Sequence, residues 1–232
     1  MTVNWNQRSY EKELLDREDI PFDDIKKNMQ ELNIINTRLG GHAITVKGLK
    51  KLLGNKLFQN PIPVMEVGCG GGDNLRVLKA WAARNNRHLQ LTGVDINEAC
   101  IRFAKEQPGN DGIHFICADY KTVSLQQQVI FSSLFCHHFT DEQLTEMLQW
   151  MRQHARTGFF INDLHRHPAA YYSIKALTQL FSKSYLVKND APLSVRRGFT
   201  KRDWTQLFQK ANIQPYNIQW QWAFRWLVTY RT

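Results

Sequence analysis

Apolar positions along this chain follow two periods, and the change from one to the other divides it. Early on, they recur at helical spacing. Ile25, Met29, Leu32 and Ile35 form one set, with Asp23 placed to cap it and Leu39-Gly40-Gly41 to end it. Val46, Leu49, Leu52, Leu53 and Leu57 form a second set, with Thr45 placed to cap and Gly54 and Pro61 to end it. Residues 1 to about 22 are charged and predicted to be partly helical, ending near Pro21. The first sixty residues therefore read as an N-terminal helical cap, and residues 61–232 as a sheet domain.

From Pro61 onward, short apolar runs alternate with amphipathic ones. Strands are predicted over about Ile62–Val67, His88–Asp95, Ile113–Ala118, Val129–Phe135 and Gly158–Ile161. Helices fall between them, over Asn74 to about Arg84 and over Glu98–Glu106 behind Asn97. Another begins at the Thr140/Gln143 capping box and uses Leu144, Met147, Leu148 and Met151. Residues 164–199 break the alternation with an aromatic, partly helical segment (Ala169–Ser182) and a loop at Asn189-Asp190-Ala191-Pro192. An insertion there is a natural substrate lid. Thr200 then caps a last helix through Trp204, Leu207 and Phe208. The tail is apolar at even positions from Tyr216 to Tyr230, which predicts an antiparallel strand pair turning near Gln221–Phe224.

Strands alternating with helices through short loops specify an α/β fold: a doubly wound, mostly parallel, seven-stranded sheet. Every parallel strand's carboxyl end then lies on one edge. That edge collects Gly68–Gly72, Asp95, Asp119, Ser133–His138 and Asp163.

Composition adds limits. The 232 residues suit one sizeable domain with an appendage. No apolar run spans a bilayer and the N-terminus has no apolar signal region, so the expectation is a cytoplasmic protein without membrane insertion. Cys69, Cys100, Cys117 and Cys136 form no C-x-x-C pair and read as reduced, mostly buried thiols, with no metal site expected. The net charge of +9 invites a nucleic-acid reading, but Lys and Arg are scattered, which disfavours one.

The chemistry centres on Val64-Met65-Glu66-Val67-Gly68-Cys69-Gly70-Gly71-Gly72-Asp73, a strand, a glycine turn and a helix start. Such a turn lets a cofactor lie against the backbone. Asp95, 23 residues beyond Gly72, ends the next strand where a carboxylate can accept from ribose hydroxyls. Three features depart from a dinucleotide fingerprint: Glu66 before the glycines, the G-x-G-x-G spacing, and Asp119 ending the third strand.

With these motifs in place, the sequence resembles class I S-adenosylmethionine-dependent methyltransferases. V-M-E-V-G-C-G-G-G is similar to that family's first motif, G-V-D-I-N to its second, I-C-A-D-Y to its third, and V-I-F-S-S-L-F-C-H-H-F to its fourth-strand segment. The flanks E-L-L-D, N-T-R-L-G-G-H and N-D-A-P-L-S-V-R-R-G-F-T resemble small-molecule methyltransferases associated with polyketide synthases. The resemblance implies a Rossmann-like fold, S-adenosyl-L-methionine as cofactor and S-adenosylhomocysteine as product. It implies that Gly68, Gly70 and Gly72 pass under the methionine moiety and that Glu66 orients the loop or the amino group. It puts Asp95 on the ribose, Ile96, Asp119 and Tyr120 about the adenine, and Ser133 and Leu134 beside the cofactor.

An oxygen acceptor needs its proton removed, and histidine suits that task. His137 and His138, taken as adjacent on an extended segment, point opposite ways, and His138 is preferred. His165 is second, and Asp163 can orient a base or take the proton. His42, Arg166, Arg196 and Arg197 are candidates for holding substrate. The expected activity is methyl transfer to a phenolic, polyketide-like or quinone-like small molecule, O- ahead of C-methylation, by a monomer or homodimer. The alternatives are an RNA methyltransferase and a non-catalytic, ligand-binding fold of the same type.

Overall fold

The structure, a computed structural model, describes residues 4–17, 19–54 and 61–232. Leu57, expected in the second helix, lies outside the described residues.

Seven strands form one sheet: β1 (Ile62–Val67), β2 (Leu89–Asp95), β3 (His114–Cys117), β4 (Gln127–Ser133), β5 (Ala155–Leu164), β6 (Tyr216–Gln221) and β7 (Arg225–Arg231). Their order is β3-β2-β1-β4-β5-β7-β6. The first five are parallel, and β7 runs antiparallel to both β5 and β6. Chain order reverses between β1 and β4. In doubly wound sheets that reversal opens a crevice at the carboxyl ends of the strands. The tail forms the antiparallel pair its alternation predicts and turns through Trp222–Phe224, within the expected stretch.

The helices are α1 (Phe22–Arg38), α2 (Gly41–Leu53), α3 (Asp73–Arg84), α4 (Glu98–Glu106), α5 (Asp141–His154), α6 (Pro168–Phe181), α7 (Tyr185–Arg197) and α8 (Lys201–Lys210). Strand side chains alternate between two cores. Met65, Ile130, Phe159 and Ile161 meet α5 and α8 through Leu144, Met151, Trp204 and Phe208. Val64, Val129, Phe131 and Phe160 meet α2 and α3 through Leu49, Leu52, Leu75 and Leu78. The alternation places Phe131 and Phe160, paired across β4 and β5, on one face with rings stacked at 4.9 Å.

Several local expectations change. Pro21, not Asp23, precedes α1, and Asp23 falls in its first turn. Thr45 lies inside α2, which starts at Gly41. Gly40, at φ +77°, ends α1 and reverses the chain in two residues. The hydroxyl of Thr45 instead reaches Asn74 Oδ1 at 3.1 Å. Along the chain α2 belongs to the expected cap; in space it is a layer of the sheet, its Gly48 lying so close to Phe160 that a Cβ there would sit 2.4 Å from the ring. Asn189–Pro192 is not a loop but part of α7. Ser184 caps that helix, and Leu186, Val187 and Leu193 bury one side of it, which offsets the backbone bond that Pro192 removes. Asp190 accepts hydrogen bonds from the backbone of Leu14 and Leu15, tying the N-terminal segment to α7.

No helix among the described residues is long and apolar enough to cross a membrane. Cys69, Cys100 and Cys136 are buried, Cys117 is exposed, and all four are free thiols.

Candidate active site

A cavity of about 1210 Å³ opens over the carboxyl ends of β1, β2, β3 and β4. Its floor is the turn after β1. Gly68 takes φ +71°, and a Cβ on it would lie 2.2 Å from the ring of Phe135, so only glycine lets the turn pass. Gly70 donates its N–H to Oδ2 of Asp95 at 2.9 Å, and Asn97 donates its N–H to Oδ1 at 2.9 Å. Burial pushes the Asp95 carboxyl up, and these two N–H groups pull it back. Gly72 does not line the cavity. It precedes α3 and packs against Phe115 and Asn110.

Glu66, the last residue but one of β1, is almost fully buried. One carboxylate oxygen accepts from Asn74 Nδ2 at 2.9 Å, while the other has no partner among the described residues. Burial, then the charge of Asp73, push this carboxyl well above its usual range. An unpartnered acid lining a cavity is a receptor for a donor or a cation.

Across the floor, Ile96 exposes 70 % of its surface at the cavity wall. Asp119 lines the wall and accepts from the N–H of Lys121 at 3.0 Å, so it also caps the short turn Tyr120–Thr122. Tyr120 lines the cavity and stands edge-on to Trp150 at 5.1 Å. Ser133 and Leu134 line it too. Leu134 takes φ +53° and bonds its N–H to Asn162 O.

The histidines after β4 do not sit on an extended segment. Cys136–His138 is a 3-10 turn, which does not oppose neighbouring side chains as a strand does; the two rings lie 4.5 Å apart, and both residues line the cavity. Oδ1 of Asp163 lies 2.8 Å from His137 Nδ1, and Oδ1 of Asp16 lies 3.1 Å from His138 Nδ1. Burial favours the neutral form of Asp163, but the charge and hydrogen bond of His137 prevail and hold the carboxyl below its usual range. Asp163 is fully buried beneath the histidines and does not itself reach the cavity.

The remaining candidates lie elsewhere. His42 bridges Asp73 at 2.6 Å and Thr37 at 3.2 Å, behind the start of α3. His165 sits among His167, Phe224 and Trp226, away from the cavity wall. Burial, then the charges of His167 and Arg166, push it down to about 4. Arg166 grips the carbonyls of Trp5 and Gly198 and pairs with Asp203. Arg196 pairs with Glu11 at the surface. Arg197 donates to the carbonyls of His137 and His138 at 3.0 and 2.8 Å, bracing the turn that carries both rings. None of the three arginines lines the cavity.

Residues 64–158 match the methyltransferase domain family. The glycine turn, Glu66 and Asp95, which stand around one cavity at the sheet's reversal, all lie inside the matched segment. Residues 64–158 are a class I, S-adenosylmethionine-dependent methyltransferase domain. A malonyl-acyl-carrier-protein O-methyltransferase of Priestia megaterium is 28 % identical over 76 residues, which is 33 % of this chain and 26 % of that protein. The chain thus spans about a quarter of that relative's length in the match. Among solved structures, a plantazolicin methyltransferase in complex with S-adenosylhomocysteine is similar with a TM-score of 0.65 at 18 % identity, covering 91 % of this chain and 88 % of that one. Human N-acetylserotonin methyltransferase in complex with S-adenosylmethionine also gives 0.65, at 16 % identity, covering 91 % and 56 %.

Outside the matched segment, the cavity of the methyltransferase domain is completed by residues that the motifs do not contain. Met29 and Asn33 of α1, Glu13 and Asp16 of the N-terminal segment, Leu177 of α6 and Arg225 of β7 all line it. Arg225 is 3 % exposed, one of its terminal nitrogens has no partner among the described residues, and burial pushes its guanidinium down to about 10. Glu13 and Asp16 bracket the flanking E-L-L-D, so a signal for them existed. Arg225 sits in a strand of even alternation and carried none.

Proposed function

We propose that the protein transfers a methyl group from S-adenosyl-L-methionine to a small-molecule acceptor and releases S-adenosylhomocysteine. The observation that carries this reading is one cavity with two chemically distinct ends. One end has the glycine turn, the unpartnered acid of Glu66, and Asp95. The other has His137, His138 and Glu13. At about 1210 Å³, the space exceeds the ~300–1,000 Å³ of a single drug-sized ligand, as a cofactor and an acceptor together require.

The first end fits the cofactor. Glu66 offers an acid to its ammonium group, Asp95 offers a carboxylate to its ribose hydroxyls, and the exposed face of Ile96 offers an apolar wall to its adenine. The cofactor brings an already activated methyl group, so what the protein adds is alignment of the acceptor and exclusion of water. Ala170, Ile174 and Leu177 of α6, Val195 of α7, and Phe135 and Phe139 give the acceptor end an apolar wall. That favours a phenolic, polyketide-like or quinone-like acceptor over RNA. The polar His137–His138 face suits an acceptor hydroxyl, which keeps O-methylation ahead of C-methylation.

The test is incubation with isotopically labelled S-adenosylmethionine and a panel of phenols, polyketide-type ketones, quinols and RNA. Label in a phenol or quinol is expected, and its loss in His137→Ala and His138→Ala with S-adenosylhomocysteine affinity retained. Label in RNA alone would replace the small-molecule reading. Absence of cofactor binding would leave a non-catalytic fold.

A further inference from the structure

Three side chains at the acceptor end converge in a way that the family's motifs do not require. His137 Nε2 lies 3.6 Å from Glu13 Oε1, and His138 Nε2 lies 3.8 Å from Glu13 Oε2. The ligand atoms of all three residues fall within 4.8 Å of one another. Bonds of about 2.0–2.1 Å in a tetrahedral shell set ligand atoms roughly 3.3 Å apart, so side-chain adjustments of up to about 1.5 Å close the trio on one ion.

The surroundings match metal ligation as well. Histidines that bind a metal through one ring nitrogen commonly give the other to a carboxylate, which fixes the ring and its tautomer. Both histidines do so here, His137 through Nδ1 to Asp163 and His138 through Nδ1 to Asp16. The third ligand is oriented too, because the Ser194 hydroxyl donates to Glu13 Oε1 at 2.7 Å. Arg197, which braces both histidine carbonyls, reaches Glu13 only at 4.0 Å. Glu13 is 4 % exposed, so a cation is well placed to neutralise it.

We propose that Glu13, His137 and His138 bind one divalent transition-metal ion of the zinc, iron(II) or cobalt(II) kind. Two imidazoles and one carboxylate suit these ions better than magnesium or calcium, which prefer all-oxygen shells. Three protein ligands leave a position vacant in a four-coordinate shell. All three residues line the cavity, so that position is open to an oxygen of the acceptor or to water. Binding of the metal itself does not depend on methyl transfer.

The experiment uses full-length protein stripped with EDTA and titrated with cobalt(II) chloride, read by visible absorption, with zinc chloride as competitor. Expected are the intense bands of a low-coordinate cobalt site, saturating at one ion per chain and displaced by zinc. Glu13→Gln and His138→Ala are each expected to weaken binding at least tenfold, and His154→Ala, a histidine away from the cavity, to leave it unchanged. The S-adenosylhomocysteine melting shift is followed in every variant, so a lost metal site and a lost cofactor site are read separately. A wild-type spectrum of fully hydrated cobalt, or equal affinity in Glu13→Gln and His138→Ala, overturns the proposal. If Glu13→Gln does not fold, His138→Ala alone decides, since its ring is partly exposed and its removal leaves the buried groups in place.

Discussion

Asp95 closes a loop as well as facing the cavity: its Oδ2 receives the N–H of Gly70 at 2.9 Å, tying the turn after β1 to the end of β2. One carboxylate therefore shapes the glycine turn and lines the cavity, where the proposed reading puts the ribose. Asp95→Ala is expected to lose both functions. A ligand at a hundredfold excess over its Kd stabilises by about 2.7 kcal/mol, which for a chain of this size is a rise in Tm of roughly 5–10 °C. S-adenosylhomocysteine should give such a rise in the wild type and none in Asp95→Ala, measured by differential scanning fluorimetry. A rise of equal size in both proteins refutes the role given to Asp95.

Arg225 is nearly buried, lines the cavity and leaves a terminal nitrogen without a partner. An arginine desolvated without full pairing costs stability until a ligand completes it. Arg225→Met should therefore unfold at the same or higher urea concentration than the wild type, yet bind an anionic ligand at least tenfold more weakly. Calorimetry with S-adenosylhomocysteine and the KM for the acceptor separate the two carboxylate or oxyanion sources. A variant that is destabilised while both affinities hold would make Arg225 a structural residue.

The parts of this molecule written into local sequence were legible. Thr140 and Gln143, Asn97, and Thr200 cap their helices where the pattern placed them. The even apolar positions of the tail became β6 and β7. Legibility stopped where a residue's surroundings come from far along the chain. His137 and His138 read as opposed neighbours because nothing in C-H-H announces a 3-10 turn. That turn is held from outside, by Arg197 on both carbonyls. Glu13 and Asp16 meet these histidines across more than a hundred residues, a relation that spacing along the chain does not encode. Arg166, Arg196 and Arg197 read as candidates for holding substrate because their partners (Trp5, Gly198, Asp203, Glu11, Asp16) are brought in by tertiary contact.

His165 sets a pH dependence. Its folded-state value, pushed down to about 4, lies below the unfolded value near 6.5. Between these two, the unfolded chain binds a proton that the folded chain refuses. This contribution is therefore complete above about pH 6.5 and is lost progressively as pH falls toward 4. The ring is only part-buried, so solvent screening reduces the effect to about 1–2 kcal/mol. His165→Phe, which keeps a ring against Phe224 and Trp226, should lose less stability than the wild type between about pH 7 and about pH 5. Parallel urea unfolding curves at the two pH values check this, and equal acid losses in the two proteins would contradict it.

Gly68 and Phe135 share a space that admits only one of them with a side chain. Gly68→Ala places a methyl group 2.2 Å from the Phe135 ring and keeps an alanine at φ +71°. The left-handed backbone costs roughly 1–2 kcal/mol, and overpacking adds about 1–3. A total loss of roughly 2–5 kcal/mol in urea unfolding is expected. Phe135→Ala in the same chain removes the clash but not the backbone strain. The double variant should therefore be more stable than the sum of the single losses allows, by about 1–3 kcal/mol. Strict additivity would mean that the turn moves away from Phe135 instead of pressing on it, and that the floor of the cavity yields to a side chain.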